Sequence, residues 1–436
     1  MILKKFTLFI IFLLLIVSSC HKDDTLPPII TIIAPSENSH FEVGDSIYFH
    51  LYVIDNVQVS SISIVLLDEQ NRMLGKYKHF YSHENSLEIS DYYPIVDTTL
   101  SSGIYYLKCI ASDGNNVVGK SVKINIKGIS TKSLGLFAII QVSSQQTDIY
   151  HVDTNYVSSL WAQYNIDFFD ARIDYLYVQL YLFPKSYGNM SAINLQTKAA
   201  NWTISQLKQN SEEWFQGIEL INHRLYVGDY NSNLTIYDHS GVITTLFPAL
   251  PNYTVKKMLV YNGITFLYEA HIGIGQQERI TVYNSGMNLI QNIIFDYDLV
   301  AWFPRDENNI TLFYNTDEGL QIANLYYFLS GITVIASNVN YVLLDVEKIS
   351  EKTFLLGTDK GVLYYDLNFP NTFSVVLTKE NVKNIDYNEV TSQVAASSGN
   401  ELFIFSLPDG TISESFHFSD EIRKLFWDYD KSTAIK

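Results

Sequence analysis

Five basic residues form the most distinctive set of side chains that could bind a ligand. Lys256-Lys257, Lys383 and Arg423-Lys424 each stand near the start of an apolar stretch. The chain around them is acidic, with 29 Lys and Arg against 46 Asp and Glu and a formal net charge of −17. Basic side chains gathered in one place would focus positive potential on an anionic ligand, such as an acidic glycan. Strand alternation predicts the opposite, because it directs neighbouring side chains towards solvent or nearby carboxylates.

Other patterns that could support chemistry fit turns better. The carboxylate pairs Asp296/Asp298 and Asp428/Asp430 could serve acid–base catalysis, yet they stand among turn-forming residues. Residues 229–233 match the first half of a calcium loop but lack the glycine and glutamate that complete it. The sequence has no zinc-type histidine pairing, nucleophile elbow or phosphate-binding glycine loop. It therefore predicts no catalytic residue, no metal and no cofactor.

The overall composition limits the class of protein. The acidic excess argues against nonspecific nucleic-acid binding, because neutralising phosphates needs a surplus of Lys and Arg. Hydrophobic residues make up 47% of the chain and aromatic residues 14%, which excludes intrinsic disorder. The abundance of Tyr and Phe favours an all-β protein. A length of 436 residues suggests two or three domains.

The N-terminus has the features of an export signal. Lys4 and Lys5 precede an apolar run, residues 6–17, which is shorter than the roughly 20 residues of a membrane span but fits a signal peptide. The run ends in Val17-Ser-Ser-Cys20, which resembles the lipobox of bacterial lipoproteins. This resemblance implies that residues 1–19 are removed and that Cys20 is lipidated. The alternative is an ordinary cleaved signal peptide with an incidental cysteine.

The residues after Cys20 resemble a surface-export signal. Lys22, Asp23 and Asp24 are similar to the Lys-Asp-Asp type of signal in lipoproteins of Bacteroidetes. The resemblance implies a protein that is anchored by lipid in the outer membrane and faces the cell exterior. The alternative is that residues 20–26 are only a flexible, charged tether.

Residues 27–128 have the pattern of a β-sandwich, with short alternating apolar runs separated by turns. The segment 103–115, Gly-x-Tyr-x-Leu-x-x-x-Ala-x-Asp-Gly-Asn, resembles bacterial Ig-like domains and implies a spacer or adhesion module. Cys109 alternates with Tyr105 and Leu107 on one strand face, so we expect a buried thiol without a disulfide partner. Asp113 and the residues after it predict a turn, with calcium binding as the alternative.

Residues 133–436 contain an internal repeat. Two apolar or aromatic residues followed by a small polar residue recur at spacings of 40 to 46 residues. The seven copies end at His151, Asn194, Asp238, Asn284, Asn324, Asp366 and Ser406. Turns rich in Gly, Asn and Asp precede four of the later copies, at 230–233, 316–319, 358–361 and 397–400. A period of about 42 residues with several strands per unit is typical of β-propeller blades.

Seven triplets predict a seven-bladed propeller, although the pattern also allows six or eight blades. Residues 422–427 match the strands that open earlier repeats, and residues 134–142 match a second strand. We therefore expect the C-terminal strand to complete the N-terminal blade and close the ring. The repeat resembles the broad group of WD-repeat, YVTN-type and quinoprotein-like propellers. It lacks the Gly-His…Trp-Asp pair of WD repeats, the Ser-x-Asp-x-Gly-x-x-Trp box of sialidases and the double glycine of kelch repeats. The resemblance therefore implies a fold and not a function.

The predicted fold gives the five basic residues a common place. The first strand of each propeller blade lines the central channel, so we expect Lys256, Lys257, Lys383, Arg423 and Lys424 near one channel mouth. The sequence thus predicts a non-catalytic surface lipoprotein, in which an Ig-like β-sandwich precedes a propeller that binds a partner protein or a glycan.

Two functions other than binding fit the same sequence, a polysaccharide-degrading enzyme and an assembly factor for outer-membrane proteins. A propeller hydrolase or lyase acting on polysaccharide would show channel carboxylates with raised pKa values. Glycan binding without chemistry would instead show a broad aromatic patch on the loop face. An assembly factor for outer-membrane proteins would face the periplasm and would survive protease treatment of intact cells.

Overall fold

The computed structural model describes residues 25–69, 73–97, 100, 102–128, 132–205, 214–248, 252–272, 277–284, 288–306, 308–329 and 331–430. Cys20, Lys22, Asp23 and Asp24 lie outside these residues, as does the predicted signal peptide. Every regular element within them is a β-strand, and they divide into two compact units, 25–128 and 132–430. None of the described segments forms a helix that could cross a membrane.

The first unit consists of two sheets that share one core. Its described strands are β1 (Ile29–Ala34), β2 (Ser39–Glu42), β3 (Ser46–Ile54), β4 (Ser61–Leu67), β5 (Met73–Tyr81), β6 (Ser86–Pro94), β7 (Gly103–Ser112) and β8 (Val117–Lys127). The sheet orders are β1-β3-β6 and β2-β8-β7-β4-β5. Only the pair β2–β8 is parallel among these described strands. Alternate apolar residues of both sheets meet between them, including Phe49, Ile64 and Leu107.

Two predictions for this unit are confirmed. Cys109 faces the core and is 2% exposed, and burial raises the pKa of its thiol to about 12. A thiol so shielded is not a nucleophile at neutral pH. The segment after β7 forms the predicted turn, because the Asp113 carboxylate accepts the N–H groups of Asn115 and Asn116 at 2.6 and 2.5 Å.

The second unit consists, over its described residues, of seven four-stranded antiparallel sheets. The strands of the first three sheets are β9 (Lys132–Ser143), β10 (Gln146–Asp153), β11 (Ser158–Tyr164); β12 (Phe168–Asp174), β13 (Gln179–Pro184), β14 (Asn189–Asn194), β15 (Ala200–Ser205); and β16 (Phe215–Ile221), β17 (Arg224–Asp229), β18 (Asn233–Tyr237), β19 (Ile243–Pro248). The next two sheets are β20 (Tyr253–Tyr261), β21 (Ile264–His271), β22 (Arg279–Tyr283), β23 (Leu289–Ile294); and β24 (Asp298–Asp306), β25 (Asn309–Thr316), β26 (Gly319–Tyr326), β27 (Gly331–Asn338). The remaining strands are β28 (Leu343–Lys348), β29 (Thr353–Thr358), β30 (Gly361–Asp366), β31 (Phe373–Leu377); β32 (Val382–Asn388), β33 (Gln393–Ser398), β34 (Glu401–Ser406), β35 (Ile412–His417); and β36 (Ile422–Asp430).

These sheets form a closed ring. Strand β36 pairs antiparallel with β9, so the first sheet has the order β36-β9-β10-β11 from its inner edge. The innermost strands are therefore β12, β16, β20, β24, β28, β32 and β36. Each of them contacts the next, and β36 contacts β12. Four-stranded sheets arranged in this way around a central channel form a β-propeller.

Each described innermost strand contains a β-bulge near its start. The register with the adjacent strand, which is β13, β17, β21, β25, β29, β33 or β9, skips one residue in each: Phe169, Gln216, Lys256, Val300, Leu344, Lys383 or Arg423. Two positions after this residue, each strand has a buried apolar side chain: Ala171, Ile218, Met258, Trp302, Val346, Ile385 or Leu425. Because side chains alternate along a strand, the positions before and after these apolar residues face the other way.

The repeat triplets and turns agree with the predicted pattern. Each triplet begins in the third strand of its sheet, counted from the channel. The four predicted Gly/Asn/Asp turns join second to third strands, and at one of them Asp229 Oδ1 accepts the Asn233 N–H at 2.9 Å. The turn prediction for Asp428 and Asp430 is wrong. Both residues belong to β36, because pairing with Gly135 and Lys132 of β9 extends the strand through them.

We predict that Trp427→Ala weakens the ring where it closes. Trp427 is 4% exposed, and its Nε1–H donates to the Asp386 carbonyl at 3.0 Å. Removing this indole leaves a cavity and an unpaired carbonyl, so we expect a loss of about 3–5 kcal/mol in the free energy of unfolding. Urea denaturation of the full chain measures it. The half-buried Trp161 of outer strand β11 is the control, and an equal loss in Trp161→Ala would contradict the special role of Trp427.

Candidate binding site in the central channel

Alternation after the bulges defines two layers of residues on the innermost strands. The residues directly after the bulged position form the first ring: Asp170, Gly217, Lys257, Ala301, Asp345, Asn384 and Lys424. The residues two positions further on form the second ring: Arg172, Glu219, Leu259, Phe303, Glu347, Asp386 and Phe426. A cavity of about 570 Å³ lies between the innermost strands, lined by the whole second ring and by four first-ring residues, Lys257, Ala301, Asp345 and Lys424.

One sector of the channel compensates its own charge. Arg172 Nη1 lies 2.7 Å from Asp170 Oδ2, and its Nη2 lies 3.5 Å from Glu219 Oε2. Burial opposes the charge of the guanidinium, but the carboxylates of Asp170 and Glu219 outweigh it and raise the pKa of Arg172. Burial likewise acts against ionised Asp170, yet Arg172 and Lys424 lower the pKa of that carboxyl. Arg172 is therefore occupied and is not a free site for an anion.

The opposite sector has an excess of carboxyl groups. Burial raises the pKa of Asp345, and it raises the pKa of Asp386 to about 7 against the favourable charge of Lys424. Burial also raises the pKa of Glu347, and the negative charges of Asp386 and Asp345 add to the effect. Asp386 and Glu347 therefore retain protons at pH values where an ordinary carboxyl group is fully ionised.

Two of these carboxylates also connect neighbouring strands. Asp345 Oδ2 accepts the backbone N–H of Ile385 at 2.8 Å, which joins β28 to β32. Asp386 Oδ2 accepts the N–H of Trp427 at 2.6 Å, which joins β32 to β36. Through these hydrogen bonds to the neighbouring strands, Asp345 and Asp386 stabilise the ring as well as lining its cavity.

The described aromatic side chains of this unit do not form one broad patch. Trp302 and Trp427 are buried, and Trp161, Trp202 and Trp214 are half-buried in the packing between sheets. The exposed aromatic residues that the structure describes here are Tyr177, Tyr297, Phe328 and Phe369, and they lie in four separate connections. Phe303 and Phe426 line the cavity from the second ring and also pack against the apolar cores between the sheets.

The five predicted basic residues occupy two adjacent positions of the innermost strands, and the two positions have different surroundings. Lys257 and Lys424 line the cavity, whereas Lys256, Lys383 and Arg423 are bulged residues outside its lining. Lys256 Nζ donates to Gln216 Oε1 at 2.6 Å. The other two pair with one carboxylate, Glu421, at 2.7 and 2.9 Å. The joint action of all five at a channel mouth stays a prediction.

Sequence reasoning missed the acidic side of the channel. The residue types at the positions equivalent to Asp345, Glu347 and Asp386 differ from one repeat to the next. None of these three residues belongs to the triplets that define the period. A signal was nevertheless present in the innermost strands, where a buried apolar residue follows the bulge by two positions. Aligning the repeats on this residue would have placed Arg172, Glu347 and Asp386 at the same level of the channel.

The chain is similar to several solved structures at low identity. A quinoprotein alcohol dehydrogenase-like protein from Bacteroides thetaiotaomicron is 12% identical, with 93% of this chain and 100% of that chain covered and a TM-score of 0.47. BamB from Moraxella catarrhalis is 11% identical, with 71% and 91% covered and a TM-score of 0.40. The designed Ika8 protein is 9% identical, with 68% and 91% covered and a TM-score of 0.47.

No protein-family model matches the chain, and no curated protein matches it. The quinoprotein-like and BamB structures are propeller proteins. At these identities and scores the similarities transfer no function.

We predict that Asp386→Asn reduces the pH dependence of stability. The folded chain holds a proton on Asp386 up to about pH 7, whereas an unfolded aspartate loses it near pH 4. The stability from this proton is therefore complete below about pH 4 and is lost as the pH rises towards 7. Asparagine stays neutral and retains an oxygen for the Trp427 N–H, so its free energy of unfolding should fall less over this range.

Urea denaturation between about pH 4 and pH 8 measures the effect. Asp317→Asn makes the same charge change at an exposed turn between β25 and β26 and should leave the slope unaltered. An Asp386→Asn slope equal to that of the wild type would contradict the assignment of the proton.

Proposed function

We propose that the chain is a lipid-anchored surface protein in which an Ig-like unit carries a seven-bladed propeller that binds a partner without chemistry. The observation that carries the binding role is the cavity of about 570 Å³ at the centre of the ring, lined from all seven innermost strands of the described unit. Concave cavities in which charged and apolar groups converge are typical ligand sites, and this one contains both kinds of group. Cys20 is the proposed site of lipidation, and Lys22, Asp23 and Asp24 are the proposed surface-export signal.

The surroundings of the cavity favour a protein partner over a glycan. Sugar recognition without chemistry is expected to use a broad aromatic surface, and the exposed aromatic residues described in this unit are spread over four connections. Of the basic set, Lys257 and Lys424 are the proposed ligand contacts, because they reach the cavity, where they would donate to carbonyl oxygens of the partner's inserted segment. Lys256, Lys383 and Arg423 remain candidates for contacts outside it.

A second function is favoured by one observation. Glu347 and Asp386 have raised pKa values and lie in the same cavity, as expected of acid–base groups in a polysaccharide hydrolase or lyase. The hydrogen bond from Trp427 to Asp386 gives a structural reason for one of these carboxyls. We therefore place the enzyme second to the binding protein.

We predict that Cys20→Ala abolishes membrane attachment. Wild-type protein in its native host should incorporate labelled palmitate, fractionate with the outer membrane and be degraded by protease added to intact cells. Cys20→Ala should lose the label and the membrane fraction, because a protein without acyl chains has no stable anchor. Replacing Lys22, Asp23 and Asp24 together by alanine is the matched variant, which should keep the label but become protected from protease.

Protection of the wild-type protein from protease would contradict surface exposure and favour the inward-facing assembly factor. Labelling that persists in Cys20→Ala would contradict the lipobox.

We predict that the purified chain binds without altering what it binds. Incubation with a panel of neutral and acidic polysaccharides should yield no new reducing ends and no unsaturated products. A hydrolase or lyase would release products, and Glu347→Gln would slow their release by about 10²–10⁴-fold, because a general acid or base contributes that much. Exposed Glu351→Gln, in the turn after β28, is the control. Product formation that Glu347→Gln abolishes would replace the binding function by the enzyme.

A further inference from the structure

We propose that the cavity receives a lysine or arginine side chain of a partner protein, whose cationic end lies between Glu347 and Asp386 with Phe303 and Phe426 on either side. This inference rests on the proposed function, because it takes the channel as the binding site. It adds the chemical class of the ligand and identifies the residues that recognise it.

The order of strands around the ring places these four residues together. Strands β24, β28, β32 and β36 are successive neighbours, and their second-ring residues are Phe303, Glu347, Asp386 and Phe426. All four line the cavity. The second ring therefore contains two adjacent carboxyl groups with one aromatic ring on each side. A cation beside a carboxylate and an aromatic face is stabilised by both groups.

The charges of the channel leave these two carboxyl groups without a paired cation. Arg172 forms ion pairs with Asp170 and Glu219, and Lys424 Nζ lies 3.9 Å from Asp170 Oδ1. Among the described residues, neither Glu347 nor Asp386 forms an ion pair with a Lys, Arg or His side chain. A ligand with a positive charge favours their ionised forms and competes with the protons that they hold near neutral pH, whereas an anion favours the protonated forms.

The remaining walls suit the rest of such a side chain. Leu259 and the two phenylalanines are apolar surfaces in contact with the cavity, and the aliphatic stems of lysine and arginine pack well on such surfaces. Only a few side chains fit into about 570 Å³, so the partner inserts a short segment and not a folded domain. The net charge of −17 over the whole chain attracts a basic segment before contact.

Binding of a cation should release protons. The titratable and charged groups near Glu347 and Asp386 are Asp345, Lys424, Tyr175 and Tyr429. Burial raises the pKa of both tyrosines, so they remain neutral at pH 7. A cation favours the ionised carboxylates and displaces the protons they hold, whereas an anion draws protons in.

The test is isothermal titration of the full mature chain with three blocked peptides, Gly-Lys-Gly, Gly-Arg-Gly and the first peptide with its lysine Nε-acetylated. Titrations near pH 7 in two buffers of different ionisation heat count the protons released. We expect the lysine and arginine peptides to bind at least about ten-fold more tightly than the acetylated peptide and to release protons. Glu347→Gln and Asp386→Asn should each remove most of this preference, and Glu351→Gln should retain it.

Two further probes distinguish the sources of charge. Glucosamine has an ammonium group on a sugar, and galacturonate has a carboxylate on one. Equal binding of the acetylated and free lysine peptides, or tighter binding of galacturonate with proton uptake, would overturn the cation site while leaving the channel as a binding site. Preference for glucosamine over both basic peptides would overturn the protein partner. If none of the probes binds, the inference is overturned. The channel itself would be ruled out as the binding site only if channel variants bound an identified partner as tightly as the wild type does.

Discussion

The free edges of the innermost strands constrain the whole propeller. Each of these strands pairs with one neighbour in its own sheet, so its other edge has backbone N–H and C=O groups outside any ladder. Side chains of adjacent innermost strands satisfy several of them. Arg172 donates to the Ile218 carbonyl, Asp345 accepts from Ile385, and Asp386 accepts from Trp427. Because an unpaired buried group costs about 1–3 kcal/mol, closing the ring favours polar side chains in the channel. The charged lining of the cavity is thus partly a consequence of closure.

The outer rim meets the same constraint in a different way. The outermost strands are exposed to solvent and contain a single acidic residue among them, Glu414, although charge is the usual protection for a free edge. Each of the described sheets instead has a bulge in this strand. The bulged residues are Trp161, Asn201, Thr244, Ile290, Ile335, Val376 and Ser413. A bulge twists the edge and interrupts its ladder, which hinders the addition of a strand from another chain. One bulge orients the channel residues and the other protects the rim.

The sequence predicted the parts of the molecule that the repeat makes alike. The third strands and the Gly/Asn/Asp turns recur in type and spacing, because all sheets need the same packing and the same hairpins. The channel residues could not be predicted in this way, since Lys257, Asp345 and Asn384 occupy equivalent positions with different chemistry. Lys256 and Lys257 also differ in their surroundings, although they are adjacent. The bulge places Lys256 outside the cavity lining and Lys257 within it. The local sequence pattern does not determine the strand register at a bulge, and this register decides which side chains reach the cavity.

Differences between equivalent positions therefore separate the requirements of the fold from those of the ligand. The buried position between the two rings is apolar in all seven described strands, which is the signature of packing. In the second ring, the charges of Arg172 and Glu219 compensate each other, and Leu259 is neutral. The charges at these positions are therefore balanced without an external group. Phe303, Glu347, Asp386 and Phe426 leave two carboxyl groups and two aromatic faces in one sector. Asp386 has a structural role through Trp427, but closure does not require aromatic neighbours beside a carboxyl pair. Phe303 and Phe426 also pack against the apolar cores between the sheets, so the carboxyl pair is the part of this sector that packing alone does not explain, and it is there that a ligand completes the charge balance.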